Sequence, residues 1–188
     1  MKKHLITSLL YTAILSVVLG LLYPAAITGL ATVLFPKQAA GSLVYDANHE
    51  LVGSTLIGQP FTGPTYFHSR PSNAGTGYDA TNSGGSNLGP TSKALADRVA
   101  ASVTTESQPG QATAVPVDLV TASASGLDPD ITPAAAFFQV PRVAAERHLP
   151  ETQVRALVAS HVTDRQVGFL GEPRVNVLAL NQALDAVK

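Results

Sequence analysis

The chain opens on an apolar run with no charged residue between Leu5 and Pro36, and Lys37 follows at once. Beyond it the pattern changes to short apolar stretches divided by Gly, Pro, Ser and Asn. A membrane-spanning helix needs roughly 20 apolar residues. Residues 5–35 drawn as one helix extend roughly 46 Å at 1.5 Å per residue, against a hydrocarbon core of roughly 30 Å. The pattern therefore predicts a helix that spans a bilayer and tilts, kinks or ends early. Pro24 is the expected kink, because it lacks a backbone donor and crowds the preceding turn. A cleaved signal peptide is the competing reading, with Gly29-Leu30-Ala31 as its small-residue site. Its apolar core would run only about 7–15 residues, so an uncleaved anchor is favoured. Lys2, Lys3 and the amino terminus outweigh Lys37, which predicts a cytoplasmic N-terminus and an external remainder. The expected plan is a cytoplasmic terminus and anchor over 1–36 and an extracytoplasmic domain over 37–188.

Within the apolar run, Ser8, Thr12, Ser16, Gly20, Pro24 and Thr28 recur at every fourth position. Small residues at this spacing let another helix approach closely, although Ser, Thr and Gly are also simply common in membrane helices. On a straight helix the row drifts about 40° per step, so it cannot face one partner throughout.

Past the anchor, residues 41–44 and 51–57 read as short strands around a polar turn. Residues 58–90 form a long irregular stretch, dense in Gly, Pro, Ser, Asn and Thr. Loops of this length are uncommon in compact domains unless functional or disordered. Phe61, Tyr66, Phe67, His68, Arg70 and Tyr78 give this one side chains that can anchor it to a core. Thr91 or Ser92 is placed to cap a helix over 93–103, with Leu95, Val99 and Val103 on one face. Residues 115–120 read as a strand. Thr132-Pro133 is a cap followed by proline in the first turn, opening a helix over 134–139. Pro141 is expected to end that helix, with a separate one over 142–148. A further helix is expected over 151–161, with Val154, Leu157 and Val158 as its apolar stripe. Residues 175–180 suit either a strand or the start of a helix running to Lys188. The fold class is α+β: one N-terminal transmembrane helix, then one mixed domain.

Composition narrows the functions. Charged residues are 13 % of the chain, and thirteen acids face twelve bases, two of which are Lys2 and Lys3. The part beyond the anchor is thus mildly acidic, which excludes an ordinary basic nucleic-acid binder. There is no Cys, hence no disulfide scaffold, Cys-ligated zinc, thiol chemistry or lipoprotein anchor.

Candidate chemistry is sparse. The chain lacks the Gly-x-x-x-x-Gly-Lys-Ser/Thr phosphate loop. Ser83-Gly84-Gly85-Ser86 is the strongest nucleotide-like stretch, since successive backbone amides in such a loop can cradle an anion. It also resembles the core of a transporter-ATPase signature, but the predicted topology puts it away from cytosolic ATP. His4, His49, His68, His148 and His161 show no metal-ligand spacing. Asp128-Pro129-Asp130 lacks the Gly and closing Glu of a calcium loop and reads as a turn before the cap at Thr132. Ser123-Ala124-Ser125-Gly126 is not a nucleophile elbow. His68 and Arg70, between Tyr66-Phe67 and Pro71, form the most loaded stretch. They read either as a polar contact to a partner or as a loop pinned by its aromatics, with Arg70 bonding its own domain's carbonyls.

A series of blocks then runs through the chain in order. They are Tyr23-Pro24, Gly41-Ser42-Leu43, Gly53-Ser54, Leu56-Ile57-Gly58-Gln59 with Phe61-Thr62-Gly63, and Tyr66-Phe67-His68-Ser69-Arg70-Pro71-Ser72. Next come Ser83-Gly84-Gly85-Ser86-Asn87-Leu88, Val115-Pro116-Val117 and Thr121-Ala122-Ser123-Ala124-Ser125-Gly126-Leu127-Asp128. Gln139-Val140-Pro141-Arg142-Val143-Ala144 and Gly171-Glu172-Pro173-Arg174-Val175-Asn176-Val177 with Leu180-Asn181 complete the set. Together they resemble the C subunit of the bacterial Kdp potassium-transporting ATPase, departing at Ser69, where Gly is expected, and at Asn73, where Ala is expected.

The resemblance implies a non-catalytic accessory subunit of the bacterial inner membrane, required for assembly and activity. Its partners would be a channel-like A subunit, an ATP-hydrolysing B subunit and a small F subunit, with potassium as the transported ion. It also implies a catalytic chaperone that raises the ATP affinity of the B subunit. With the domain outside, that effect must be indirect, and ATP enters only through the B subunit, with no metal or cofactor bound directly. Partner-contact candidates are Ser8, Thr12, Ser16, Gly20, His68, Arg70 and Asn87; Ser83, Gly84, Gly85 and Ser86 remain the anion candidates. The alternatives are a membrane-tethered periplasmic binding or hydrolase domain and a direct ATP-binding regulator.

Overall fold

The computed structural model describes residues 1–46, 48–107 and 113–187. They divide into two compact units, Met1–Val52 and Gly53–Lys188.

In the first unit, α1 (Lys2–Val17), a π turn (Val18–Leu22) and α2 (Tyr23–Leu34) run on as a single 33-residue helix with no buried residue. It is long and apolar enough to cross a membrane. Around Pro24 the structure shows how the proline is accommodated. Pro24 cannot donate to the carbonyl of Gly20, and the turn ahead of it widens so that Tyr23 N–H bonds back to the carbonyl of Val18. A widened turn carries four residues through less than a full revolution. The row of small residues is thereby rotated back toward the face it was leaving. After α3 (Pro36–Ala39), Gly41 and Ser42 take positive φ and the chain reverses into β1 (Leu43–Tyr45). β1 pairs with β2 (Leu51–Ser54). The Asp46 carboxylate shapes their connection by accepting from the N–H groups of Asn48 and Glu50, each at 2.8 Å. The expected second strand to 57 ends early, because Ile57 N–H turns back to the Ser54 carbonyl.

The second unit is mixed helix and strand. A three-stranded antiparallel sheet has β3 (Asp130–Ile131) and β4 (Val162–Thr163) on either side of β5 (Arg174–Asn176). Ile131 and Val162 both stand opposite Val175. α4 (Lys93–Glu106) forms where expected and runs one turn further. α5 (Pro133–Arg147), α6 (Glu151–Ser160) and α7 (Val177–Asp185) enclose the core with the sheet. That core includes Phe67, Leu119, Ile131, Phe138, Val140, Val143, Val154, Val158, Val175, Leu180 and Leu184. Thr132 caps α5 as its sequence suggests, accepting from Ala135 N–H at 3.3 Å. Ser92 occupies the cap position of α4 without a side-chain cap bond.

Three expectations are corrected. Residues 115–120 are not a strand; Val117–Leu119 is a 3₁₀ turn. Pro116 brings no ladder donor, and the Asp118 carboxylate turns inward to accept from Thr132 N–H at 2.8 Å. Pro141 does not divide its helix; α5 is continuous from Pro133 to Arg147. The missing donor there is outweighed by apolar burial on both sides, at Phe138, Val140, Val143 and Ala144. Residues 175–180 are neither all strand nor all helix. β5 ends at Asn176, whose side chain accepts from Ala179 N–H at 3.1 Å and starts α7. The proposed helix end at Lys188 lies outside the described residues.

At the strand edge, Asp130 meets Asn176 Nδ2 at 3.0 Å and Arg174 Nε at 3.0 Å. Burial nevertheless pushes its carboxyl above the ordinary carboxylate range, against the lowering influence of Asn176 and Arg174. An acid raised in the folded state holds its proton more tightly there than in the unfolded chain. Its contribution to stability therefore declines as pH rises from the unfolded to the folded pKa. Asp130→Asn should remove that descending component, read as a flatter urea midpoint of the full-length chain between about pH 3.5 and 7; superimposable curves would show that Asp130 does not supply it. Pro141→Ala should stabilise the chain by about 1–3 kcal/mol through a restored helical donor; an unchanged or lower midpoint in chemical denaturation would contradict this.

Candidate functional site

The long segment between β2 and α4 has no strand or helix, so its backbone groups need partners elsewhere. Side chains from two helices supply them. Asn181 of α7 accepts from Phe67 N–H at 2.9 Å and donates to Phe67 O at 3.0 Å. Gln139 of α5 does the same for His68, accepting from its N–H at 2.6 Å and donating to its carbonyl at 3.2 Å. Both carboxamides are buried, at 0 % and 1 % exposure for Gln139 and Asn181. Each thus closes a two-bond ring on the loop backbone, in the manner of an antiparallel neighbour.

Two arginines extend the clamp. Arg142 donates to the carbonyls of Pro64 and Tyr66 and to Gln139 Oε1. Burial pulls its guanidinium below the usual arginine value, with Glu106 and Glu146 opposing the shift. Arg147 donates to Thr65 O at 2.7 Å, pairs with Asp185 at 2.7 Å, and lies 4.7 Å from the centre of the Tyr66 ring. Phe67, held between these contacts, is fully buried in the core.

Beyond Phe67 the loop lines a cavity of about 350 Å³ with α4. Its wall includes Phe61, His68, Arg70, Tyr78, Arg98 and Glu106. His68 Nδ1 meets the Glu106 carboxylate at 2.9 Å, and Nε2 faces Gly63 O at 3.2 Å. Each ring nitrogen thereby faces an oxygen of its own unit. Arg70 bonds within its own unit, to Asp128 at 3.1 Å and to the carbonyl and hydroxyl of Thr121 at 3.4 Å each. Tyr78 donates to the Arg70 carbonyl, and burial pushes its phenol above the usual value. Arg98 Nη1 reaches Asn73 Oδ1 at 2.9 Å, while its buried Nε has no hydrogen-bond partner among the described residues.

The glycine-rich stretch is a packing device in this structure. Gly84 N–H donates to Ser125 O at 2.9 Å, and Ser83 Oγ donates to the same carbonyl at 2.9 Å. Gly126 lies opposite with φ +67, and a Cβ there would fall 2.6 Å from Ala74 N and 2.8 Å from Gly84 O. The turns around 72–78, 83–86 and 123–126 meet at backbone contact, and only glycine fits. Ser72 Oγ adds a bond to Gly126 O at 2.6 Å and accepts from Tyr78 N–H at 2.8 Å.

His68 and Arg70 thus share one wall. Ser83, Gly84, Gly85, Ser86 and Asn87 belong to the neighbouring turn, and Asn87 takes a positive φ. Ser8, Thr12, Ser16 and Gly20 belong to the exposed apolar helix of the other unit, with Gly20 inside the π turn. Ser8 Oγ donates to Leu5 O at 2.9 Å. Among the described residues no group of three or more His, Cys, Asp or Glu side chains is placed to hold a metal. Sequence reasoning gave no role to Gln139, Arg142, Arg147 or Asn181. The available signal was a long polar side chain on a helix face otherwise lined by Val, Leu and Phe.

A family model described as KdpC, the K+-transporting ATPase c chain, matches residues 5–186. The chain is 60 % identical over 188 residues to a protein of Koribacter versatilis named potassium-transporting ATPase KdpC subunit, covering 100 % of this chain and 97 % of that one. It is 62 % identical over 183 residues to a protein of the same name from Acidobacterium capsulatum, covering 97 % and 98 % of the two chains. A third, from Methylobacterium nodulans, is 56 % identical over 198 aligned positions, covering 98 % of each.

Gln139→Leu keeps the volume but strands the His68 N–H and carbonyl and removes an Arg142 acceptor. Each stranded buried group costs about 1–3 kcal/mol, so the loss of stability should be about 2–5 kcal/mol. Denaturant unfolding of the full-length chain measures it, and a loss under about 1 kcal/mol would mean that water replaces the amide.

Proposed function

Because the chain belongs to the KdpC family, the c chain of the K+-transporting ATPase, we propose that it is a non-catalytic accessory subunit of an ATP-driven potassium uptake complex, anchored by its single apolar helix. Its partners are a channel-like A chain, an ATP-hydrolysing B chain and a small F chain of the same complex, in the inner membrane of a bacterium. The N-terminus lies in the cytoplasm and the second compact unit outside, a reading supported by Lys2 and Lys3 ahead of the helix. The observation that carries this proposal is the 33-residue apolar helix with none of its most apolar stretch buried, followed by a separately packed unit.

A domain on the outer side cannot touch cytosolic ATP. Any rise in the B chain's ATP affinity then comes from binding preferentially to the state of the complex that holds ATP better. Coupling of this kind is worth about 1–3 kcal/mol, or roughly 5- to 150-fold in affinity. The use of the Gly84 amide on Ser125 supports this indirect route over a nucleotide cradle at residues 83–86. The 350 Å³ cavity beside His68 supports the second reading, a membrane-tethered binding domain.

Protease added to intact spheroplasts should digest the second unit, and the solubilised full-length chain should bring down larger membrane chains. Omitting it from the complex should raise the ATP concentration for half-maximal hydrolysis by roughly 5- to 150-fold. Protection from external protease would overturn the topology and restore direct ATP contact. Recovery as a free monomer would favour the tethered binding domain.

A further inference from the structure

The cavity between the long loop and α4 is lined by two arginines and a histidine, Arg70, Arg98 and His68, against a single acid, Glu106. Arg70 is paired with Asp128 at 3.1 Å. Glu106 is paired with His68 at 2.9 Å and also favours the charged form of Arg142. Arg98 differs from the others. Its Nη1 holds the neutral Asn73 Oδ1 at 2.9 Å, its Nε is buried without a hydrogen-bond partner, and no ion pair reaches it among the described residues. A half-buried guanidinium with no acid beside it costs stability and is uncommon in a fold that gains nothing from it. The wall beside it carries apolar surface from Phe61, Pro71 and Leu119. On the same wall Tyr78 takes φ +57, a left-handed conformation uncommon for a bulky residue, with its N–H on Ser72 Oγ at 2.8 Å and its O–H on the Arg70 carbonyl. Backbone held against its preference gathers at ligand sites.

We propose that this cavity binds a small dissolved monocarboxylic acid, with the carboxylate on Arg98 and the apolar body against Phe61, Pro71 and Leu119. The proposal holds whether the chain is an accessory subunit or a tethered binding domain. Size agrees with it. An apolar cavity of about 150 Å³ admits benzene, and this one has about 350 Å³. Charge selects the ligand. One unmatched guanidinium is neutralised by one negative charge, and its planar fork fits a carboxylate. A phosphate dianion would leave surplus negative charge near Glu106 and Asp128. It would also find no amide cradle in the glycine-rich stretch, where the Gly84 N–H is already on Ser125 O. The wall is fixed in advance, because Gln139 holds the His68 backbone and His68 ties the loop to Glu106 of α4. Such preorganisation lowers the ordering cost of binding.

The test is a fluorine NMR titration of the full-length chain in detergent with para-fluorobenzoate, and with para-fluorobenzamide as a neutral probe of similar shape. The acid should bind saturably and at least about tenfold more tightly than the amide. Arg98→Met should weaken the acid at least about tenfold and leave the amide unchanged. Ser102→Leu adds bulk to the wall from α4 and leaves Arg98 in place, so it should weaken both probes alike. The ratio of acid to amide on the wild-type chain needs no variant, and it decides the matter even if Arg98→Met folds poorly. Absence of saturable acid binding, equal binding of acid and amide, or displacement of the acid by an equal concentration of inorganic phosphate would overturn the proposal. The same titration on the chain assembled with its larger membrane chains should give the same affinity. Loss of acid binding there would assign Arg98 to a carboxylate of a neighbouring chain and overturn the dissolved ligand. The titration of the chain alone can fail without touching the accessory-subunit reading, which stands or falls on co-purification.

Discussion

Gln139 on α5 and Asn181 on α7 both point inward from helix faces that are otherwise apolar, and they end on the backbone of adjacent residues, His68 and Phe67. A segment of more than thirty residues with no helix or strand must find partners for its backbone, or keep it in water. Here its centre is drawn into the core. The two carboxamides meet four backbone groups that would otherwise be buried without partners, and they let Phe67 fill the space between the helices. Arg142 and Arg147 act outside them on Pro64, Thr65 and Tyr66. The cavity wall at His68 and Arg70 is held in place because the residues before it are held.

The two prolines inside helices show how surroundings decide the outcome of the same local defect. Each removes one N–H donor and crowds the carbonyl four residues back. Around Pro24 the helix buries none of its residues, and the preceding turn widens to a π turn. At Pro141 the flanking residues Val140 and Val143 are fully buried, and the helix passes through the defect. Side-chain burial of that kind contributes about 1.5–3 kcal/mol per large apolar residue, comparable to the cost of the proline.

The braced loop, the glycine crossing at Gly126 and the Arg165–Glu172 ion pair give the second unit fixed surfaces without long sheets or disulfides. Such a unit suits an accessory chain of a transporting ATPase. Rigid features can discriminate between arrangements, because a misplaced partner is met by a clash rather than by accommodation.

The apolar helix, the cap at Thr132 and the membership of the KdpC family are legible in the sequence, because each depends on composition, near-neighbour chemistry or ordered motifs. A charge-free run of this length has few alternatives to a spanning helix, and Thr-Pro ahead of alanines starts a helix by local bonds alone. The 3₁₀ turn at Val117–Leu119, the unbroken α5 and the switch from β5 to α7 at Asn176 were decided by tertiary contacts. At α5 burial overruled the proline, at Val117–Leu119 the bond that Asp118 accepts from Thr132 fixed the turn, and at Asn176 a local cap took over where the pairing of β5 ended. The roles of Gln139 and Asn181 were hidden for the same reason. A carboxamide on an apolar helix face has a function only once a loop 71 or 114 residues away in the chain is laid beside it.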